Sequence, residues 1–364
     1  MTKIQALADL GQSIWYDNIR RSLLDSGEMQ DLIDQGVTGV TSNPSIFEKA
    51  IAGSSDYDEA LMRQFEKGHS IEELYEALVI EDIQRTADLL RPIYDQTQGF
   101  DGYVSFEVSP ALAHDSKGSI DEAKRLFEQI GRPNVMIKIP ATEAGIPAIE
   151  ALIRDGINVN VTLIFSLSNY EAIAEAYIKG LEGLAENGGN LREVASVASF
   201  FVSRVDSAVD QALEAIGETE LQGAIAIANA KVAYARFHEI FSGKRWDRLA
   251  SAGARVQRPL WASTSTKNPA YPDTLYVDAL IGPLTVNTIP PATLQAFLDH
   301  GRASETLNAD LEKAQAQLER LAELGVDLAA VTEQLQIDGV EAFANAFESL
   351  LSSIAMKRTE AKET

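Results

Sequence analysis

The chain has 364 residues, of which 45% are apolar and 23% charged, a composition typical of a globular protein and not of a disordered or fibrous one. Its 54 acidic and 31 basic residues give a formal net charge of -23, which repels nucleic acid and anionic membranes at long range. The absence of cysteine excludes disulfides, thiolate nucleophiles and iron-sulfur clusters. We therefore expect no nucleic-acid or membrane partner, and a phosphate ligand needs a local basic pocket.

The amino-terminal segment, residues 1–9, lacks the apolar core of a signal peptide. No stretch of the sequence approaches the roughly 18 uninterrupted apolar residues of a membrane span. Together with the absence of cysteine, this predicts a cytoplasmic protein. At the other end, residues 356–364 are mostly polar and are expected to fray.

Short β-rich runs alternate with longer segments of helical period, which is the pattern of β-α units around a parallel sheet. The pattern predicts an α/β fold, a (β/α)8 TIM barrel that forms a single domain over residues 1–364. An open doubly wound sheet is the alternative. It lacks support because no G-x-G-x-x-G follows the first strand and no P-loop motif occurs. The predicted strands start near Ile14, Val37, Tyr103, Val135, Ile157, Val194, Pro259 and Leu275.

The connections between the predicted strands are helical. Two of them are long, at about 45–100 and 205–258, and a C-terminal helical region at about 292–355 is expected to pack on the barrel. The sequence therefore predicts extra helices in the long crossovers and at the C-terminus. Capping-box motifs mark three helix starts, at Ser70, Ser119 and Ser168.

Lys138 lies within an apolar predicted strand, residues 135–140 (VMIKIP). An ammonium group there carries a desolvation cost that favours the neutral amine, and a neutral amine can attack a carbonyl to form a Schiff base. Two structural readings remain open: a fixed ion pair with a buried carboxylate, or a side chain that extends to the rim of the barrel.

Two carboxylates also stand at the ends of apolar strand segments, Asp17 after the first strand and Glu107 in the third. Catalytic groups of a barrel gather at the C-terminal ends of its strands. Each acid alone is more readily explained as a helix cap or an ion-pair partner. Three isolated charges on three strands, with Lys138, favour a shared site, because unpaired buried charges are costly.

The fifth predicted strand alternates polar and apolar residues. Its polar face would point into the barrel and hold a hydroxylated ligand or an ordered water, and its apolar face would meet the outer helices. A polar layer satisfied within the core is the alternative. The polar residues are Asn158, Asn160 and Thr162, and the apolar ones are Val159, Val161 and Leu163.

A run of hydroxyl side chains, residues 261–268 (WASTSTKN), follows the seventh predicted strand and contains Ser265 and Lys267. Together with Arg204, which comes five residues after Ser199, it could form the required basic pocket, since phosphate sites of barrels often lie after strands seven and eight. A solvated loop explains the run equally well.

Two further features have simple structural explanations. Asn43 followed by Pro44 reads as an N-cap and first residue of a helix, and capping alone would explain the pair. The four histidines are scattered with no pair four residues apart, so neither a metal site nor a histidine base is expected.

Three segments in order, residues 41–45 (TSNPS), 137–142 (IKIPAT) and 160–166 (NVTLIFS), resemble the transaldolase family over about residues 10–290. Enzymes of this family transfer a dihydroxyacetone unit from sedoheptulose 7-phosphate to glyceraldehyde 3-phosphate, in the non-oxidative pentose phosphate pathway. The products are erythrose 4-phosphate and fructose 6-phosphate. The resemblance implies small sugar-phosphate substrates and no cofactor.

The resemblance also implies a role for each matching residue. Lys138 would be the Schiff-base lysine and Asp17 the acid/base at the carbon-carbon bond, while Glu107 and Thr162 would hold a catalytic water. The remaining matches would bind substrate: its hydroxyls at Asn43, Asn160 and Ser199, and its phosphate at Arg204, Ser265 and Lys267.

The sequence departs from the family pattern at two places. Many transaldolases have arginine where Lys267 stands, so a point charge replaces a bidentate group. Phe200 follows Ser199 where proline is familiar.

Two other functions remain as alternatives. A fructose-6-phosphate aldolase would share the fold and the lysine, but those shorter proteins tend to have glutamine and tyrosine where this chain has Glu107 and Phe201. A catalytically silent sugar-phosphate-binding barrel would not need Lys138, Glu107 and Asp17 together.

Overall fold

The computed structural model describes residues 2–65 and 68–363. In those residues eight parallel strands close a barrel in chain order, and β8 pairs with β1. The predicted (β/α)8 barrel is therefore confirmed, and the open sheet is excluded. The strands are β1 (Gln12–Tyr16), β2 (Gly39–Thr41), β3 (Tyr103–Glu107), β4 (Val135–Pro140), β5 (Val159–Ile164), β6 (Ser196–Phe201), β7 (Arg258–Ala262) and β8 (Thr285–Ile289).

Sixteen α-helices accompany the barrel in the described part of the chain. The long crossovers 45–100 and 205–258 are helical, as predicted. None of these helices is both long and apolar enough to cross a bilayer. The helices are α1 (Lys3–Asp9), α2 (Arg21–Asp25), α3 (Glu28–Asp34), α4 (Pro44–Ala52), α5 (Asp58–Phe65), α6 (Ile71–Gln96), α7 (Ser116–Ile130), α8 (Gly145–Arg154), α9 (Leu167–Glu186), α10 (Ser203–Ala215), α11 (Ile225–Ile240), α12 (Gly243–Ser251), α13 (Leu275–Ala279), α14 (Pro291–His300), α15 (Leu311–Glu323) and α16 (Leu328–Glu363).

The prediction for the eighth strand is wrong, whereas the other seven strands start within two residues of the predicted positions. The apolar run at Leu275 forms the short helix α13, in which Tyr276 and Val277 are buried. A short apolar run cannot be assigned to a strand or a buried helix by its periodicity alone. The true β8 carries Thr285 and Asn287, two buried polar residues that make it look like a loop.

Only one of the three predicted helix starts is confirmed. Ser70 caps α6 with both hydrogen bonds of a capping box. The starts predicted at Ser119 and Ser168 are wrong, because α7 is capped by Asp115 and α9 by Ser166. In both cases a side chain closer to the N-terminus accepts a hydrogen bond from a backbone N–H of the first turn, so the helix begins earlier than predicted.

The long helix α16 packs against α4 and against β5. Gln336 on this helix donates to the backbone carbonyl of Leu163 in β5 at 3.1 Å. The tail expected to fray, 356–364, lies partly outside the described residues. Its described backbone is helical as far as Glu363, and Lys357 donates to the carbonyl of Ser54 at 2.7 Å.

The opposite end of the barrel contains a buried charge pair that the sequence analysis does not single out. Arg258, the first residue of β7, lies 3.6 Å from Asp101 and donates to Ser13 at 2.7 Å. Trp15 also donates to Asp101, at 2.8 Å. A charged residue in a barrel strand can thus have a purely structural role. A catalytic role for Lys138 therefore depends on what its side chain contacts.

Candidate active site

A cavity of about 520 Å³ lies at the C-terminal ends of the strands. Eight of the ten residues predicted for the site line it. Glu107 and Asn160 do not border this cavity, but each contacts a residue that does. The eight are Asp17, Asn43, Lys138, Thr162, Ser199, Arg204, Ser265 and Lys267.

Lys138 combines an ion pair with access to the cavity. Its Nζ lies 2.7 Å from Glu107 Oε1, and the two side chains are 7% and 9% exposed. Nζ also donates to the carbonyl of Ser42 at 2.9 Å. The register of β3 and β4 sets Glu107 directly beside Lys138, which explains the pair. The ion pair with a buried carboxylate, one of the alternatives left open for Lys138, is therefore present. Lys138 also borders a cavity large enough for a substrate.

The Glu107 carboxyl group is held in a desolvated position. Burial raises its pKa, Lys138 opposes that effect, and the nearby Asp17 adds to it. A carboxyl group with a raised pKa exchanges protons more readily near neutral pH than an exposed glutamate does. Glu107 is therefore a candidate proton acceptor that lies 2.7 Å from the Lys138 amine.

Asp17 follows β1 and approaches the cavity from the side of β2. Thr41 donates to Asp17 Oδ1 at 2.7 Å, and the Thr41 hydroxyl also contacts the hydroxyl of Thr288. Burial raises the pKa of Asp17, while the Thr41 hydrogen bond and the charges of Lys138 and Lys267 oppose the rise. This environment suits a proton acceptor that must also return the proton.

The three polar residues predicted for the fifth strand differ in position: Asn158 lies just before β5, and Asn160 and Thr162 lie within it. Asn158 donates to the carbonyl of Val135 at 3.2 Å and accepts from the amide of Ala195 at 2.9 Å, so its side chain is a satisfied part of the core. Asn160 donates to Ser105 at 2.9 Å and accepts from Ser199 at 2.7 Å. Only Thr162 of the three lines the cavity.

The strict alternation predicted for β5 fails at Leu163. The pairing with β6 shifts between Val161 and Ile164, so Thr162 and Leu163 together stand opposite Ser199. Leu163 has a φ of 60°, in the left-handed region. Its side chain lies beneath α16 instead of facing the outer helices, because a bulge re-aims the residues that it contains.

Besides Lys138, four cationic side chains line the cavity, although the whole chain is strongly acidic. Arg204 and Lys267 are among the predicted residues, and Lys267 donates to Ser265 at 2.8 Å. Desolvation lowers the pKa of Lys267 and Arg204 lowers it further, whereas Asp17 raises it. Such a concentration of positive charge fits an anionic ligand.

The other two cations, Arg20 and Lys49, are not among the residues predicted from the sequence. For Lys49 a signal exists. It lies on α4 four residues after Ser45, which also lines the cavity, so one face of a helix that starts at Pro44 presents both.

Phe343 of α16 also lines the cavity, with its ring centre 5.8 Å from Lys138 Nζ. No motif in the sequence indicates this residue, since it lies about two hundred residues after Lys138 and beyond the segments that resemble a known family.

Comparisons with known proteins place the chain in a family. Residues 14–354 match the family model described as transaldolase/fructose-6-phosphate aldolase. The chain is 49% identical to the transaldolase of Parafrankia sp. (strain EAN1pec) over 96% of each chain. It is 48% identical to that of Thermobifida fusca over 97% of this chain and 98% of the relative, and 46% identical to transaldolase 2 of Nostoc punctiforme over 95% of each. The chain belongs to the transaldolase family.

Proposed function

We propose that this transaldolase moves its dihydroxyacetone unit from sedoheptulose 7-phosphate to glyceraldehyde 3-phosphate through an imine on Lys138. The observation that carries the proposal is the position of Lys138, whose amine lies 2.7 Å from a buried carboxylate and borders a cavity that also holds Asp17 and four cations. Erythrose 4-phosphate and fructose 6-phosphate are the products.

The first step joins the donor to the enzyme. The amine of Lys138 gives a proton to Glu107 and attacks the C2 carbonyl of the ketose phosphate. The resulting carbinolamine loses its C2 oxygen as water, and the imine forms. Thr162 and Glu107 both lie beside Lys138 around one small cavity, so they are the groups available to donate and accept protons at that oxygen.

The second step breaks the carbon-carbon bond. Asp17 accepts the proton of the C4 hydroxyl while the C3–C4 bond breaks, and the bonding electrons enter the protonated imine to give an enamine. The C4 fragment leaves as erythrose 4-phosphate. Asp17 suits this role because it borders the cavity and its Oδ1 is oriented by the hydroxyl of Thr41.

The final steps reverse this chemistry with a new aldehyde. Enamine C3 adds to the aldehyde carbon of glyceraldehyde 3-phosphate, and the new C4 oxygen takes the proton back from Asp17. Water then hydrolyses the imine, releases fructose 6-phosphate and regenerates Lys138. The acceptor must add before hydrolysis frees dihydroxyacetone, so access of water to the enamine decides between transfer and simple cleavage.

A trapping experiment tests the imine. Fructose 6-phosphate with borohydride should irreversibly label one peptide of the wild-type protein, the one that contains Lys138, because borohydride reduces an imine to a stable amine. Lys267 is the internal control, since it is also a cavity lysine. Labelling at Lys267 instead, or no labelling, would contradict the mechanism.

The products formed from fructose 6-phosphate without borohydride distinguish the two activities named in the family description. With erythrose 4-phosphate added as acceptor, sedoheptulose 7-phosphate should accumulate. Free dihydroxyacetone as the main product would indicate an aldolase instead.

The proposed phosphate site gives a second prediction. Lys267→Ala should raise the KM for fructose 6-phosphate by roughly ten- to a hundredfold and leave kcat within a few fold, the scale of one lost charge-assisted hydrogen bond. The reason is that Lys267 is one of the cations that line the cavity and has no role in the imine or proton-transfer steps proposed above. Steady-state kinetics measure this effect.

Lys244→Ala is the matched control, because Lys244 is an exposed lysine on α12 far from the cavity in the fold. Unphosphorylated fructose supplies a second control, since its slow turnover should not respond to the Lys267 substitution. An unchanged KM for fructose 6-phosphate would contradict the assignment of the phosphate site.

A further inference from the structure

One face of α16 covers the ends of β4 and β5 beside the proposed imine. Gln336, Gly339 and Phe343 occur at spacings of three and four residues, so they lie on the same side of the helix. This side contacts the strand residues next to Lys138 and Thr162. The mechanism above uses neither Gln336 nor Gly339.

Gln336 ties the two strand ends together. Its Nε2 donates to the carbonyl of Ala141, just after β4, at 2.9 Å and to the carbonyl of Leu163 in β5 at 3.1 Å. Asn169 also donates to the carbonyl of Ala141, at 2.8 Å. A carboxamide has two N–H donors, and Gln336 donates to both of these backbone carbonyls. The first carbonyl follows β4, the strand of Lys138, and the second lies in β5, the strand of Thr162.

The carbonyl that Gln336 holds on β5 belongs to the strained residue of the bulge. Leu163 has a φ of 60°, which is unfavourable for a bulky side chain and persists only where the surroundings enforce it. Thr162 immediately precedes it, and the Thr162 carbonyl accepts from the amide of Ala141 at 2.8 Å. The direction of the Thr162 side chain therefore depends on the bulge. The bulge in turn is held to α16 by the hydrogen bond from Gln336 to Leu163.

Gly339 permits this close approach. A Cβ atom at that position would lie 2.9 Å from Leu163 Cδ2, so the Leu163 side chain would have to shift to make room for it. The absence of a side chain lets the helix backbone rest directly on the bulge.

The same helix face forms one wall of a small cavity beside the lysine. Its volume is about 20 Å³, and a single water needs only about 10–15 Å³. Glu107, Lys138 and Thr162 line it on the barrel side, while Val340 and Phe343 line it from α16. The cavity thus brings together the three groups that handle the C2 oxygen, and α16 completes it.

We propose that α16 positions the water step of the reaction. Gln336 holds the Leu163 bulge so that Thr162 faces the small cavity, and Phe343 forms its outer wall. Gln336 is a positioning residue, because it acts through Leu163 and Thr162 and touches no reacting atom. The proposal rests on the imine mechanism above, and it separates water handling at C2 from the carbon-carbon chemistry that Asp17 performs.

The test follows the C2 oxygen alone. Fructose 6-phosphate that carries heavy oxygen at C2 loses the label to water each time the imine forms and hydrolyses, and mass spectrometry measures the rate after subtraction of the enzyme-free rate. Gln336→Met keeps the length of the side chain and removes its donors. We expect it to slow the exchange, and kcat for transfer with it, about tenfold, with KM for the phosphorylated substrate unchanged.

Gln334→Met is the matched control. Gln334 is an exposed glutamine of the same helix that bonds only Asp338 among the described residues, so its exchange rate should equal that of the wild type. Phe343→Leu offers a second test that leaves Gln336 in place and opens the cavity wall. Phe343→Leu should also slow exchange.

The outcomes separate the two proposals. Wild-type exchange no faster than the enzyme-free rate would overturn the Lys138 imine itself. Wild-type exchange that Gln336→Met leaves intact, in a variant that still melts like the wild type, would overturn the role of α16 alone. Equal losses in Gln336→Met and Gln334→Met would indicate a general loss of helix stability and would likewise overturn it.

Discussion

We expect Lys138→Met to lose transaldolase activity by roughly four orders of magnitude or more, the scale at which removal of a covalent nucleophile acts. Methionine fills a similar volume but cannot form an imine. The loss should appear in kcat, in borohydride labelling with fructose 6-phosphate and in exchange of the C2 oxygen, because all three pass through the same adduct.

The substitution also leaves Glu107 buried without its cation, so unfolding must be measured beside activity. Removal of one partner of a buried ion pair costs about 3–5 kcal/mol, although a carboxyl group can limit that cost by taking up a proton. The double variant Lys138→Met with Glu107→Gln removes both charges and keeps both shapes, and it is expected to recover stability without activity. A folded Lys138→Met variant that still transfers dihydroxyacetone would refute the mechanism.

The sequence predicts this lysine because its signal is local. A charged residue in the apolar run 135–140 is visible without any knowledge of the fold, and the C-terminal ends of barrel strands converge in every such barrel. Asp17 and Glu107 follow from the same reasoning. The pairing of Glu107 with Lys138 does not, since it depends on the register of β3 against β4.

The features that the sequence does not predict arise from contacts between distant segments. The bulge at Leu163 interrupts an otherwise regular alternation, and no residue type marks it. Gln336 and Phe343 reach the site only because α16 returns across the barrel, far along the chain from Lys138. The eighth strand is predicted in the wrong place because β8 is rich in polar residues. A barrel interior can bury such residues, but in the sequence they look like a loop.

Asp17→Asn should separate carbon-carbon chemistry from imine chemistry. We expect kcat for transfer to fall by roughly two to four orders of magnitude, the usual contribution of a general acid or base. Asparagine is close in shape and can still accept the hydrogen bond from Thr41, but it cannot take the proton of the C4 hydroxyl. Imine formation does not need that proton transfer, so borohydride should still label Lys138.

The pH dependence gives the same assignment an independent check. Burial raises the pKa of Asp17, so the deprotonated form that accepts the C4 proton is lost at a higher pH than for an exposed aspartate. Transfer by the wild type should therefore decline as the pH falls through that raised pKa.

The decisive measurement for Asp17 is the ratio of two rates in one variant. Asp17→Asn should retain C2 oxygen exchange within a few fold of the wild type while transfer nearly stops, whereas Gln336→Met should slow both together. The contrast follows from position, since Asp17 lies on the side of β1 and β2, and Gln336 holds β4 and β5. If Asp17→Asn lost exchange and transfer in equal measure, Asp17 would act in forming the imine and the proton at C4 would need another acceptor.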